Sequence, residues 1–586
     1  MSATGPMRAA PAHVRTLMVA LLVVLAIAIV LPVVAIVGEA FGAESGVGTA
    51  LGDLVGQPGF WSVIVRNTVV LTVCSTVLSV GIGFMLAVAA SMLPAGRRMR
   101  TLLRFIPLTP LCVPALVGAL GWIFLASPRT GWLNQAIRAV TGSDAEEGPL
   151  DIFSMPGAIF VVTLYIVPFV FTILDASMRR LNSEVLEAMR VSGSGPTMML
   201  VRTATGILRP ALLAAGTIAL VQTISFFSVP LLLRVDVLTT MIYRQVNDLS
   251  RPDVAAVASL PLILMAGVLT AGQLFLASAA ARYATMTGKG KAGQTVSLGR
   301  RADAVLKSLA VGYLGLTALL PVAAIVMVSL LPYWTSGFEW SQVGLDNFRN
   351  VLALPGTQAG LRTSATLGLL CGGGAVVIGL LVVVFAERTK GALGRLLYVV
   401  ANLPLGIPQV VLALGFLVAF IGPPFSLYGT MTLLVLAYLV AFLPLGIRNM
   451  GPVVQQVGKE LEEAALVSGS TWTGSVARVT LPLVTPAIAA SAFLLFLMIF
   501  GDLTISAFVS APGTEVIALR LLDSYTQGTV TVSATIAVLI AAVSLVGVVV
   551  AMWASDRVQL SGSPKQTRKP GLSPTAPRPT QQGAPR

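Results

Sequence analysis

Unbroken apolar runs near twenty residues long recur along this chain, with short polar stretches between them. Runs of that length without strict alternation predict membrane-spanning helices. In lipid only helices and closed barrels can satisfy their own backbone, and the continuous pattern selects helices. The pattern predicts an all-α integral membrane protein of about twelve transmembrane helices, at 17–37, 67–93, 105–126, 156–178, 208–233, 254–281, 305–331, 364–386, 398–421, 427–446, 486–509 and 531–553. The first run follows Arg8 and Arg15, as a signal peptide would. It is read as a span because its counterpart, 305–331, is internal, and Pro32 and Pro321 sit at similar places in the two.

The polar positions repeat as well. Glu187-Ala188-Met189 followed by Gly193 and Arg209-Pro210 corresponds to Glu463-Ala464-Ala465 followed by Gly469 and Pro486, each pair 276 residues apart. Pro110 and Pro114 correspond to Pro404 and Pro408, and Arg66-Asn67-Thr68 to Arg362-Thr363-Ser364. The chain therefore divides into a tail 1–16, a first six-span repeat 17–281 with its polar loop at 184–210, a basic Gly-rich linker 282–303, a second repeat 304–554 with its loop at 459–486, and a Pro/Ser/Thr/Gln-rich tail 555–586 expected to be disordered. Six spans per repeat return the chain to the same side, so the repeats are parallel and related by an axis along the membrane normal.

Composition sharpens this picture. The 586 residues are 56% hydrophobic and 11% charged, with mean hydropathy +0.88, where soluble domains carry roughly 25% charge. The net charge of +14 is distributed by side: with the N-terminus inside, inner loops and tails hold 29 of the 38 Lys and Arg. That is the positive-inside bias, so the basic balance reports topology, with both termini cytoplasmic, and no nucleic-acid partner is implied. Cys74, Cys112 and Cys371 fall in spans without a CxxC, and the only histidine, His13, is in the tail, so no metal, disulfide or catalytic cluster is expected.

The second loop joins good helix formers at 458–467 to Gly469, which suits a sharp turn, and then Val479-Thr480-Leu481-Pro482. This pattern resembles the EAA loop of binding-protein-dependent ABC importer permeases of the MetI-like type I fold. The copy at 187–210 is degenerate, with Met189 and Thr203-Ala204-Thr205-Gly206 departing from it. The resemblance implies that the loop is a coupling helix docking on a separate homodimeric ATPase, through Glu187, Ala188 and Gly193 on one side and Glu463, Ala464, Ala465 and Gly469 on the other. It also implies an extracytoplasmic substrate-binding protein and residence in a prokaryotic plasma membrane, with lipid around the chain and a small solute as cargo. No GxxxxGK[ST] string occurs, so ATP and Mg are expected in the partner and no cofactor in this chain.

Ionisable groups inside spans cost roughly 2.5–3.5 kcal/mol each at a helix centre, so they default to functional candidates, and other polar groups there are further candidates for the pathway. Gln222, Ser225, Gln409 and Asp502 are the candidates here. Asp502 is expected about 24 Å up span eleven at ~1.5 Å per residue, either facing the pathway or at the outer interface. Asp175 and Arg179 are expected to pair at i,i+4. Within the importer family, Ala119-Leu120-Gly121-Trp122 with Ser127 to Asn134, and Val237 to Tyr243, look most like ferric-iron permeases among the ferric-iron, thiamine, polyamine and aminoethylphosphonate group. The function expected is the permease of an ATP-driven importer working by alternating access; the alternative is an ion-gradient-driven secondary transporter, for which only Asp502 lies deep enough.

Overall fold

The computed structural model describes residues 11–42, 46–94, 96–179, 189, 191–284, 299–335, 340–389 and 391–561. Every regular element among them is helical. Among the described residues ten helices are long and apolar enough to cross a membrane, or up to twelve when each of two bent pairs is counted as one span. In chain order the principal helices are α1 (Ala12–Gly42), α2 (Arg66–Met92), α3 (Ala115–Ala126), α4 (Met155–Met178), α5 (Arg209–Ile224), α6 (Pro252–Ala284), α7 (Arg300–Ser329), α8 (Pro355–Thr389), α9 (Gln409–Phe420), α10 (Met431–Gln456), α11 (Lys459–Val467), α12 (Leu481–Phe500) and α13 (Val530–Ser561).

Several boundaries differ from the sequence reading, for local reasons. Spans three and nine are not straight. Arg98–Cys112 meets α3 at 91°, and Ala392–Gly406 meets α9 at 104°. Pro110, Pro114, Pro404 and Pro408 lack the amide hydrogens a continuing helix needs, and each disfavours helix at the residue before it. Span five stops at Ser225 and span eleven at Gly501, each followed by a short separate helix. Helix also extends into all three segments read as tails or linker. It starts at Ala12, runs to Ala284, resumes at Arg300 and continues to Ser561. The remainder of the linker (285–298) and of the C-terminal tail (562–586) lies outside the described residues.

Within each half, small residues let two helices approach closely, as membrane packing requires. Gly83 of α2 lies against Val170 of α4, and Gly379 of α8 lies against the Gly446–Ile447 backbone of α10. Ser75 donates to the Ile159 carbonyl (3.4 Å), and Cys371, at the aligned position, donates to the Val435 carbonyl (3.5 Å). The outer helices Leu238–Asn247 and Ile517–Thr526 start in the same way. The Leu238 amide donates to Thr68 Oγ1 (2.9 Å) and the Ile517 amide to Ser364 Oγ (3.0 Å).

The first helix of each half packs on the other half. α1 lies on α9, and α7 lies on α3. A Cβ on Gly415 would sit 2.6 Å from the Pro32 carbonyl oxygen, and one on Gly121 would sit 2.5 Å from that of Pro321. The two crossings are therefore the same contact made twice. Polar bonds reinforce one of them: Trp122 Nε1 donates to the Leu316 carbonyl (3.2 Å), Tyr313 donates to the Leu164 carbonyl (2.7 Å), and the Thr109 and Thr317 hydroxyls lie 3.1 Å apart.

Overpacking a tight contact costs about 1–3 kcal/mol. Gly415→Val and Gly121→Val should each lower the thermal unfolding midpoint of the purified protein. Gly312→Ala, at a helix position with open space around it, should leave it unchanged. Equal midpoints for all three would show that the crossings carry no stability.

Candidate functional site

Two regions combine exposed or buried polar chemistry with tight local structure. The first is the repeated loop. α11 opens with Glu460 and Glu462 in its first turn, where carboxylates complement the helix dipole. It closes with the Ser470 amide donating to the Ala465 carbonyl (3.0 Å) and Gly469 at φ 88°, a left-handed closure that glycine accommodates. Trp472–Ser475 follows, capped by Thr471 Oγ1 accepting from the Gly474 amide (3.1 Å), and a π turn over Val476–Thr480 leads into α12. In the first copy Gly193 has φ 75° and the Ser194 amide donates to the Met189 carbonyl (3.1 Å). The closing bond uses a backbone carbonyl, so methionine serves there as well as alanine. Glu187 and Ala188 lie outside the described residues.

Glu463, Ala464 and Gly469 are exposed and Ala465 is half-buried. Two valines that the motif reading passed over are more exposed still: Val467 at 89% and Val191 at 90%. They occupy the same position in the two copies, two residues before each glycine, and that coincidence was visible in the sequence. Each loop thus holds one valine out beside its left-handed glycine.

What fixes α11 was also missed. Arg388, at the end of α8, donates through Nε to Glu462 Oε1 (2.9 Å) and through Nη2 to the Val454 and Val457 carbonyls (3.2 and 3.0 Å). Thr480 donates to the same carboxylate, and Ser475 donates to the Glu462 carbonyl (3.1 Å). The ion pair is buried, with side-chain exposures of 4% and 11%. It ties the ends of α8 and α10 to α11 and to the start of α12. At the aligned positions the first half carries Met92, Leu186, Met199 and Ala204. Near the end of α4, Asp175 accepts from Ser91 Oγ (2.8 Å) and pairs with Arg179 (2.8 Å), as the i,i+4 spacing predicts.

The second region is a cavity of about 320 Å³ lined by both halves. Gln222, Ser225, Gln409 and Asp502 all line it. Asp502 is not within a continuous helix, because α12 ends at Phe500 and Gly501 packs against Pro114 across the two halves. Asp502 Oδ1 accepts from Gln409 Nε2 (3.3 Å), Oδ2 accepts from the Ile505 amide (3.1 Å), and its carbonyl accepts from the Tyr438 hydroxyl (3.3 Å). Ser225 donates to its own helix, at the Val221 carbonyl (2.7 Å). Tyr165 and Arg448 also line the cavity; neither emerges from motif or span reading. The two charged residues in the wall, Asp502 and Arg448, both come from the second half; Phe226 and Thr172 stand at their first-half counterparts. Toward the outer helices, Phe227, Tyr243 and Phe508 meet with ring centroids 5.3–5.9 Å apart, bridging the halves. Among the described residues no three His, Cys, Asp or Glu side chains converge as metal ligands.

Residues 375–560 match the family described as binding-protein-dependent transport system inner membrane component. Over 521 residues the chain is 28% identical to the ABC transporter permease protein y4fN of Sinorhizobium fredii, covering 86% of this chain and 88% of that one. It is 23% identical over 444 residues to a Haemophilus influenzae protein named ferric transport system permease protein FbpB 1 (74% and 68% covered). A Salmonella paratyphi A protein named 2-aminoethylphosphonate transport system permease protein PhnV is 27% identical over 233 residues, which are 39% of this chain and 84% of that one.

Removing one member of a buried ion pair costs about 3–5 kcal/mol, whereas an apolar replacement of both is far milder. Arg388→Met and Glu462→Leu should each destabilise the protein on thermal unfolding. The double variant, which copies Met92 and Leu186 of the first half, should recover most of the loss. Additive damage in the double variant would show that the two side chains are not coupled.

Proposed function

We propose that this chain, a multi-pass permease of the binding-protein-dependent ABC importers, forms the whole membrane pathway of such a transporter and is driven from its two glycine-cornered loops. The observation that carries the reading is the pair of identical knobs, Val191 and Val467, held exposed beside left-handed glycines on an otherwise lipid-embedded fold. The chain is a transport subunit; ATP and Mg would bind a homodimeric ATPase partner that seats one loop on each subunit. Glu463, Ala464, Ala465 and Gly469 would contact one copy, and Glu187, Ala188 and Gly193 the other. Both termini would face the cytoplasm, and a binding protein would deliver the solute at the opposite face.

The mechanism follows from rigid connections. Closing the ATPase dimer would draw the two loops together. Arg388 would pass the displacement of α11 to α8 and α10, and the halves would rock as bodies, as in alternating access. Opening outward would part Phe227 from Phe508, and Gln222, Ser225, Gln409 and Asp502 would meet the solute in the cavity. For the cargo, ferric iron is the reading supported by the FbpB-named relative; the PhnV-named relative supports a phosphonate.

Gly469→Val places a β-branched residue at φ 88°, a strained combination. It should abolish co-purification of the ATPase and reduce uptake at least tenfold, while Gly193→Val should cost less, because Met92 and Leu186 stand where the second half has Arg388 and Glu462. Retention of both ATPase and uptake in Gly469→Val would exclude docking through this turn.

A further inference from the structure

Between α2 and α3 lies a short helix, Arg97–Phe105, that neither the cavity nor the two loops account for. It sits on the side of the loops, because Ser91, at the end of α2, bonds to Asp175, near the end of α4 and just before the first loop. Its outward residues are apolar. Met99, Leu102 and Phe105 recur every three positions and are exposed, while Leu103 is buried. A surface helix in water turns its polar side outward, so this face lies in lipid at the membrane interface. Arginines flank the stripe. Arg98 is exposed, and Arg100 and Arg104 are half-buried. Packing covers Nε of both Arg100 and Arg104, and neither atom has a hydrogen-bond partner. Among the described residues none of these three arginines forms an ion pair. Asp303, the acid in the first turn of α7, is buried and is not paired with them. Arg100 and Arg104 are four residues apart, a spacing at which like charges repel. The helix thus holds uncompensated positive charge in fixed places beside a lipid-facing stripe.

The second half provides the comparison. With Pro110 aligned on Pro404, the helix Ala392–Asn402 repeats this one. Its apolar stripe is kept: Leu396 and Val399 are exposed where Leu102 and Phe105 are, and Leu397 is buried like Leu103. The arginines are not kept. Ala392, Gly394 and Tyr398 stand where Arg98, Arg100 and Arg104 do, and the arginine of this helix, Arg395, aligns with Thr101. Lying at the interface therefore needs the stripe and not the arginines. Topology asks for positive charge on one side of the membrane, but it does not ask that two guanidinium groups be packed in place. None of the three arginines lines the cavity, so their charge is not set for the cargo.

We infer that Arg98, Arg100 and Arg104 form a site for the phosphate headgroup of an anionic phospholipid, in the leaflet on the side of the loops, with the acyl chains lying along Met99, Leu102 and Phe105. Guanidinium groups suit phosphate oxygens in charge and geometry. Basic pockets at a membrane surface draw anionic headgroups from the bilayer, and the apolar stripe gives the chains a place that a free phosphate would not use. The helix leads straight into the turn Ile106–Cys112, whose Pro110 and Leu111 line the cavity. A lipid bound here steadies one wall of the cavity from outside.

The test uses the full chain, purified in detergent and stripped of lipid. Bound phospholipid is counted by native mass spectrometry against rising phosphatidylglycerol, or phosphatidylcholine of the same acyl chains. Phosphatidylglycerol should bind roughly tenfold more tightly. The double variant Arg100→Gln/Arg104→Gln should lose about fivefold in phosphatidylglycerol affinity for each arginine removed, with phosphatidylcholine binding unchanged. Arg100→Lys/Arg104→Lys should keep most of the affinity, and Arg395→Gln, in the second half, should bind as the wild type does. If the thermal midpoint in phosphatidylcholine shows the double glutamine variant to be unfolded, Arg98→Gln, at an exposed position, carries the test with an expected loss of about fivefold. Glycerophosphoglycerol, the same headgroup without acyl chains, should not displace the lipid; full displacement would assign the arginines to a free phosphate and overturn the inference. Equal affinity for the two phospholipids, or an equal loss in Arg395→Gln, would also overturn it. So would arginine variants that keep phosphatidylglycerol but no longer capture the ATPase, because the arginines would then serve a protein partner.

Discussion

The exchange of first helices between the halves is the constraint on which the rest of the structure depends. α1 crosses to α9 and α7 crosses to α3, and each crossing is a proline backbone seated on a glycine, Pro32 on Gly415 and Pro321 on Gly121. Lipid tails are as apolar as the side chains, so no hydrophobic force holds the halves together, and close packing of this kind must do it. Each crossing holds the first helix of one half against the other half. The crossings also place α3 and α9 on either side of the cavity. That single arrangement supplies both the contact between the halves and part of the cavity wall.

On this near-symmetric frame the chemistry is one-sided. The loop of the second half is fixed by a buried arginine and glutamate, while the first half has methionine and leucine at the same places. Both charged residues lining the cavity also belong to the second half. An ion pair with several further hydrogen bonds holds one geometry more strictly than apolar contact does, because losing any partner leaves a buried charge exposed to a poor environment. The second half thus carries the buried ion pair and the charged part of the cavity wall, and the first half completes the cavity with an uncharged wall.

Much of this was legible in the sequence. Span positions followed from hydropathy, the repeat from the aligned glycines and prolines, and the glycine-cornered turn of the loop from its motif. The four polar residues picked out along the spans line one cavity because buried polarity in lipid has few other places to go. What was not legible depends on three-dimensional neighbours. The prolines at 110, 114, 404 and 408 are visible as a repeated pair, yet the right-angle bends they make in spans three and nine appear only in the folded chain. Arg388 and Glu462 are 74 residues apart, and either alone reads as an ordinary inner-loop charge. Tyr165 looks like any aromatic in an apolar run until the fold places it in the cavity wall. Gly501 ended a helix that hydropathy alone continued to 509.

The central claim is that work enters through the two loops and moves the halves as bodies. Spin labels at Val191 and Val467, introduced as cysteines after replacement of Cys74, Cys112 and Cys371, test it most directly, because both sites are fully exposed at equivalent turns. With the chain reconstituted with its ATPase, the inter-label distance should shorten when ATP is added and relengthen after hydrolysis. A distance distribution that is the same with and without ATP would contradict the account.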